Sequence, residues 1–142
     1  MAGGGGAITK AAEDVEDSAQ DGRRDILRYN ICENDTIIGI SASGNAEYVY
    51  FALNTANEKG CTTISFSNNE DCKITDIKII TDTGAEIIPG STRMKAGNAQ
   101  KMVLNMISTT VTIKTGKVYE NFMINLKTHQ QKTTTKTDMS CM

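Results

Sequence analysis

The sequence predicts an α/β fold, a doubly wound parallel sheet with helices on its faces. Three observations carry that prediction. Apolar, β-branched runs stand at 36–40, 61–66 and 76–80. A helical pattern at 46–59 separates the first two, and a longer one follows Pro89, the only proline. Strand–helix–strand alternation at this spacing calls for parallel strands joined by crossovers.

The elements follow in order. Met1-Ala2-Gly3-Gly4-Gly5-Gly6 reads as a flexible turn. A helix is predicted over 7–20, because Ala7, Ile8, Ala11, Ala12, Val15 and Ala19 recur at roughly helical spacing. Glu13, Asp14, Glu16 and Asp17 belong to it, Gly22 ends it, and a polar stretch with Arg23, Arg24 and Arg28 follows. Thr36-Ile37-Ile38-Gly39-Ile40, bounded by turn residues on both sides, reads as a strand buried on both faces. The helix at 46–59 carries Tyr48, Phe51, Ala52, Thr55 and Ala56 on one face, with Gly60 at the position after its cap. Residues 61–66 form a second buried strand and 76–80 a third, with Ile74 just before it. After Pro89 a helix runs to about Lys114, with Met94, Met102, Val103, Met106, Ile107 and Val111 as its buried stripe. Residues 127–142 are rich in Lys, Thr and Gln without apolar periodicity, and are expected to be a disordered tail.

Composition narrows the function. The chain has 142 residues, 39% hydrophobic and 23% charged, which suits one domain or part of a larger one. Aromatics are 5% with no Trp, so a base-stacking nucleic-acid surface is not expected. There is no apolar run near 18 residues and no basic-then-apolar leader, so neither a membrane partner nor secretion is expected, and the expected location is cytoplasmic. Charge is uneven. Residues 1–86 hold 15 acids and 7 bases, a net −8, and residues 87–142 hold 2 acids and 8 bases, a net +6. Two solvated faces of opposite sign, or a local anion site in the second half, both fit that division. Cys32, Cys61, Cys72 and Cys141 form no CxxC pair, and the single His129 lies in the polar tail. Neither zinc ligation nor triad chemistry is expected from them, only reduced structural cysteines and an exposed histidine.

Chemistry is expected beyond the carboxyl ends of the parallel strands. Ser41-Ala42-Ser43-Gly44 closes the first strand just before a helix. Its hydroxyls and backbone suit an anion, and they equally suit ordinary N-cap work; the residues leave both readings open. Gly90-Ser91-Thr92-Arg93-Met94-Lys95-Ala96-Gly97 opens the long helix. Two cations there oppose the helix dipole unless an anion sits between them.

The stretch Gly84-Ala85-Glu86-Ile87-Ile88-Pro89-Gly90-Ser91-Thr92-Arg93-Met94-Lys95-Ala96-Gly97-Asn98-Ala99-Gln100-Lys101 resembles the signature of N-acetylmuramic acid 6-phosphate etherases, which the glucokinase regulatory protein shares. The resemblance continues through Met102 to Thr109 and Gly116-Lys117-Val118-Tyr119, and spans roughly residues 1–126. It implies a partial sugar-isomerase (SIS) domain over 1–126, a three-layer parallel sheet of flavodoxin-like order whose first strand is missing here. It implies a carbon–oxygen lyase that releases D-lactate from N-acetylmuramic acid 6-phosphate and leaves N-acetylglucosamine 6-phosphate. The partners implied are a phosphorylated amino sugar and a second copy of the chain, with no metal or organic cofactor. Of the family's two catalytic glutamates, one matches Glu16 in Ala11-Ala12-Glu13-Asp14-Val15-Glu16-Asp17. Substrate contacts are implied at Ser41, Ser43, Gly44, Ser91, Thr92, Arg93 and Lys95.

The family's Gly-Thr-Ser-Gly-Arg phosphate loop, and the Ser-Glu-Cys-Pro-Pro segment with its other glutamate, would precede Met1; its helical C-terminal domain would follow. Where the family has Arg-Thr-Pro, this chain has Asn45-Ala46-Glu47, which removes a cation and adds a carboxylate beside the anion site. The chain alone is therefore expected to be weak or inactive as an etherase. The alternative is a non-catalytic phosphosugar-binding or regulatory module. Without a first strand the edge at 36–40 lacks a neighbour, so self-association is expected.

Overall fold

The computed structural model describes residues 1–10, 12, 14–70 and 75–124. The tail expected at 127–142, with His129 and Cys141, lies outside the described residues, as do Glu13, Cys72 and Ile74. The chain divides into two compact units, Met1–Gln100 and Lys101–Met142.

In the first unit, β1 (Thr36–Ile40), β2 (Thr62–Ser67) and β3 (Ile77–Ile80) form a parallel sheet in the order β1-β2-β3. Thr36 pairs with Thr62 and Ile40 with Phe66 on one edge of β2; Ile64 pairs with Ile77 and Ser67 with Ile80 on the other. The parallel α/β sheet read from the sequence is present. Its burial is more uneven than expected. Only β2 is flanked on both edges, and Thr63, Ser65, Phe66 and Ser67 are buried there. β1, expected to be buried on both faces, is half-buried at its centre and exposed at both ends, and most of β3 is exposed. An apolar run marks a strand that can be buried; whether it is depends on what lies beside it.

The helix α2 (Glu47–Glu58) crosses from β1 to β2 and packs on both. Leu53 and Ala56 of α2 join Phe66 and Cys61 in the core. Gly60, at φ 81°, takes the left-handed turn that ends the helix, as its position predicts. Burial pushes the Cys61 thiol pKa up, and its Sγ donates to the Cys32 carbonyl at 3.1 Å, so it behaves as a core residue. β3 is tied to β2 by Asp76, whose carboxylate accepts from the Thr63 N–H at 2.8 Å and the Thr63 hydroxyl at 2.7 Å.

The first helix is displaced from its expected place. Gly4–Ile8 forms a short 3₁₀ turn, residues 14–17 form an irregular turn, and α1 covers Ala19–Leu27. Glu16 is therefore on a turn, not on a helix. Ser18 caps α1 by accepting from the Asp21 N–H at 3.3 Å. Gly22 lies inside the helix instead of ending it, because α1 packs closely on α2. A Cβ at Gly22 would fall 2.1 Å from the Tyr48 carbonyl oxygen. The alternation of small and acidic residues suggested a helix; the close approach of a second helix decided where it lies.

α3 (Lys95–Lys114) starts at the end of the first unit and ends where the sequence predicts. Its stripe is not buried: Met94, Met102, Met106 and Val111 are exposed, while Val103 and Ile107 are half-buried. The spacing gives the helix an apolar side, but the described residues leave most of it exposed. Beyond α3, β4 (Val118–Tyr119) and β5 (Phe122–Met123) form an antiparallel hairpin.

Candidate functional site

A cleft of about 1080 Å³ opens along β1 in the first unit. Successive residues 37–42 all line it. Neighbouring side chains of a strand point to opposite faces, so this space runs along the strand's edge, where β1 has no partner among the described residues. Towards the carboxyl end of β1 the lining becomes polar. Glu16, Ser41, Ser43 and Thr92 all belong to it, drawn from three separate segments.

The loop at 41–44 is held by its own serines. Ser41 Oγ accepts from the Gly44 N–H at 3.1 Å, Ser43 Oγ accepts from the Asn45 N–H at 3.2 Å, and the two oxygens lie 3.4 Å apart. Their mutual contact uses one hydroxyl proton and leaves the other for a ligand. The serines satisfy loop amides, and the cap residue of α2, Ala46, contributes no side-chain bond. Gly44 faces a water-sized hollow of about 20 Å³ beside Ser41, Ser65 and Ser67.

Asp25, Arg28 and Tyr48 also line the cleft; the sequence placed Arg28 only in a polar stretch and Tyr48 only on a helix face, and did not mark Asp25. The Tyr48 hydroxyl donates to Asp25 Oδ2 at 3.0 Å, and Arg28 pairs with Asp25 Oδ1 at 3.2 Å. Burial, followed by the Asp25 hydrogen bond, pushes the Tyr48 pKa up and keeps it a donor. The Tyr48 N–H donates to the Glu16 carbonyl at 3.0 Å, which fixes the Glu16 turn against the start of α2. Arg28–Asp25 is a local pair three residues apart. No sequence signal marks the two Tyr48 contacts, which join residues 23 and 32 positions apart.

The start of α3 answers the question raised by its two cations. The anion is Glu86. Its carboxylate accepts from the Lys95 N–H at 2.9 and 3.1 Å and from the Ala96 N–H at 3.2 Å. The Lys95 N–H bond, with help from Ala96, Met94 and the Lys95 charge, holds the Glu86 pKa below the usual carboxylate range. The Lys95 ammonium donates to the Ala85 carbonyl at 2.6 Å. Ser91, Arg93 and Lys95 do not line the cleft; Thr92 does.

Among the described residues no group of three or more His, Cys, Asp or Glu side chains could hold a metal ion. No helix there is long and apolar enough to cross a membrane.

No protein-family profile matches the chain. Curated proteins do. It is 51% identical over 135 residues to the N-acetylmuramic acid 6-phosphate etherase of Oceanobacillus iheyensis, covering 93% of this chain and 46% of that protein. The etherase of Caldanaerobacter subterraneus subsp. tengcongensis is 50% identical and that of Bacillus pumilus 48%, with 44% and 45% of those proteins covered. The chain thus spans a little under half the length of these relatives. By sequence it is similar, over 93% of its length, to part of the N-acetylmuramic acid 6-phosphate etherases.

Proposed function

We propose that this chain forms the phosphosugar-binding part of an etherase site, in the cleft at the carboxyl end of β1. The ligand is a phosphorylated amino sugar. In the full reaction N-acetylmuramic acid 6-phosphate loses its C2 proton, expels the lactyl oxygen from C3 as that oxygen takes a proton, and adds water across the C2–C3 double bond, hydroxyl to C3 and proton to C2. The products are D-lactate and N-acetylglucosamine 6-phosphate. Carboxylates are sufficient for these proton transfers, and Glu16 is assigned one of them. Ser41 and Ser43, turned by Gly44, are assigned the phosphate, and Thr92 a sugar contact. Ser91, whose N–H donates to the Ile88 carbonyl, and Lys95, whose ammonium donates to the Ala85 carbonyl, support the segment that carries Thr92; Arg93 is assigned no contact.

The observation that supports this reading most is the meeting of Glu16, Ser41, Ser43 and Thr92 in one cleft. The occupied start of α3 favours the 41–44 loop as the phosphate seat. The reading implies a partial SIS domain over 1–126 followed by a separate polar tail, in a cytoplasmic protein that works as a homodimer. Sedimentation at micromolar concentration is expected to find self-association through the open β1 edge; a stable monomer would overturn the dimer.

Calorimetric titration with N-acetylglucosamine 6-phosphate is expected to detect binding, and its absence would overturn the reading. Lactate release from N-acetylmuramic acid 6-phosphate is expected to be lacking in this chain alone. An acid–base group contributes about 10²–10⁴-fold, and the Ser-Glu-Cys-Pro-Pro glutamate is not in this sequence. Release that disappears in Glu16→Gln would show that one glutamate suffices.

A second reading, a phosphosugar-binding module without turnover, is favoured by Asn45-Ala46-Glu47. Glu47 brings a carboxylate into the first turn of α2, beside the proposed phosphate seat. Binding without lactate release, even when the Ser-Glu-Cys-Pro-Pro segment is fused ahead of Met1, would select it.

A further inference from the structure

We propose that Asn68 is a positioning residue that holds the 41–44 loop and couples it to the first turns of α3. The proposal rests on the reading above that this loop receives the phosphate. Asn68 directly follows β2. Its Nδ2 donates to the Thr81 carbonyl at 3.1 Å and the Thr81 hydroxyl at 2.8 Å. Its Oδ1 accepts from Gln100 Nε2 at 3.0 Å. A carbonyl can only accept, so the Thr81 bond fixes which way the amide faces. One side chain therefore joins the chain leaving β3 to α3.

The backbone of the same residue holds the loop. The Asn68 N–H donates at 3.1 Å to the Ala42 carbonyl, between Ser41 and Ser43. Ser67 Oγ reaches that carbonyl at 3.5 Å, and the Ser41 N–H donates to the Phe66 carbonyl at 3.0 Å. The loop is thus fastened to the end of β2 at Ser41 and at Ala42. The fastening point stays in place because the Asn68 side chain is anchored to Thr81 and Gln100. Gln100 makes no hydrogen bond to the loop itself, so its influence there passes through Asn68. Ligand binding at Ser41 and Ser43 is felt at α3 by the same route.

The test uses the full chain and two measurements. The first is hydrogen exchange at the Ser41, Gly44 and Asn68 amides. The second is affinity for N-acetylglucosamine 6-phosphate. In Asn68→Ala, exchange at these amides is expected to accelerate and the dissociation constant to rise at least about fivefold, the low end for coupled sites. Gln100→Ala, a change on a half-buried helix position, is expected to move the same amides in the same direction by less. The double variant is expected to match Asn68→Ala alone, because the two residues act on one link. Unchanged exchange at 41–44 in Asn68→Ala, or additive effects in the double variant, would overturn the proposal. If Asn68→Ala does not fold, loop exchange in Gln100→Ala decides alone. Failure of the unmodified chain to bind the sugar phosphate would sink the functional reading, while the exchange data still judge Asn68.

Discussion

α2 and α3 both begin at the carboxyl side of the sheet, and each was read from sequence as a place for an anion. The two starts are built differently. At α3 the protein supplies its own anion: Glu86 accepts from the Lys95 and Ala96 amides, and the Lys95 charge adds to the hold. At α2 no side chain caps the helix. The Tyr48 amide is bound by the Glu16 main chain, and the serines before the helix keep a hydroxyl proton for a ligand. The same sequence features, hydroxyls and cations ahead of a helix, thus mark a closed end in one place and an open one in the other. What separates them is a carboxylate, Glu86, folding back from nine residues before Lys95.

Four changes bear on this contrast. The largest effect is expected from Gly22→Ala. It pushes a methyl into the Tyr48 carbonyl and loosens the packing that holds the Glu16 turn at α2, for a loss of about 1–3 kcal/mol. Urea unfolding measures it, and an unchanged midpoint would mean that α1 and α2 separate freely. Next, Ser43→Ala is expected to weaken binding of N-acetylglucosamine 6-phosphate about tenfold, in line with a lost charge-assisted bond of ~1.5 kcal/mol. Lys95→Ala is expected to change that affinity far less. Equal losses would put the phosphate at both helix starts and erase the distinction.

The smallest effect is expected at α3. The Glu86 pKa is depressed in the folded state, so its cap stabilises the protein above the ordinary carboxylate value of 4.5. That contribution fades as pH falls below this value and through the folded pKa. The difference in unfolding midpoint between the protein and Glu86→Gln is therefore expected at pH 7 and should shrink on acidification. A difference that grows in acid would mean the carboxylate is not the cap.

The three strands, α2 and the Gly60 stop were legible because each has a local cause: β-branched runs, a helical face, a left-handed glycine. The start of α1 was not. Its position depends on Gly22 meeting Tyr48 across the fold, and the small residues at 7–12 carry helical spacing without that contact. The α3 stripe shows a related limit, since periodicity reports an apolar side and not whether anything covers it. At the candidate site, Glu16 became visible only through family resemblance. The contact between Asp25 and Tyr48 gave no signal because packing alone unites them. The requirement for an anion at α3 was readable from Arg93 and Lys95, but its source was not. Glu86 lies nine residues before Lys95, outside any capping-box spacing.

Asp76 has a consequence for how the sheet is assembled. Adjacent parallel strands have no tight turn between them to set their alignment. A slip of two residues between β2 and β3 would keep every side chain on its proper face, so hydrophobic patterning would barely resist it. Asp76 would resist it, because its carboxylate takes both the amide and the hydroxyl of Thr63 and also meets Asn57 of α2. One acidic side chain thus does for a parallel pair what a turn does for a hairpin. It selects a single alignment, and with it the level at which Ser67, Asn68 and Thr81 meet at the sheet's far end.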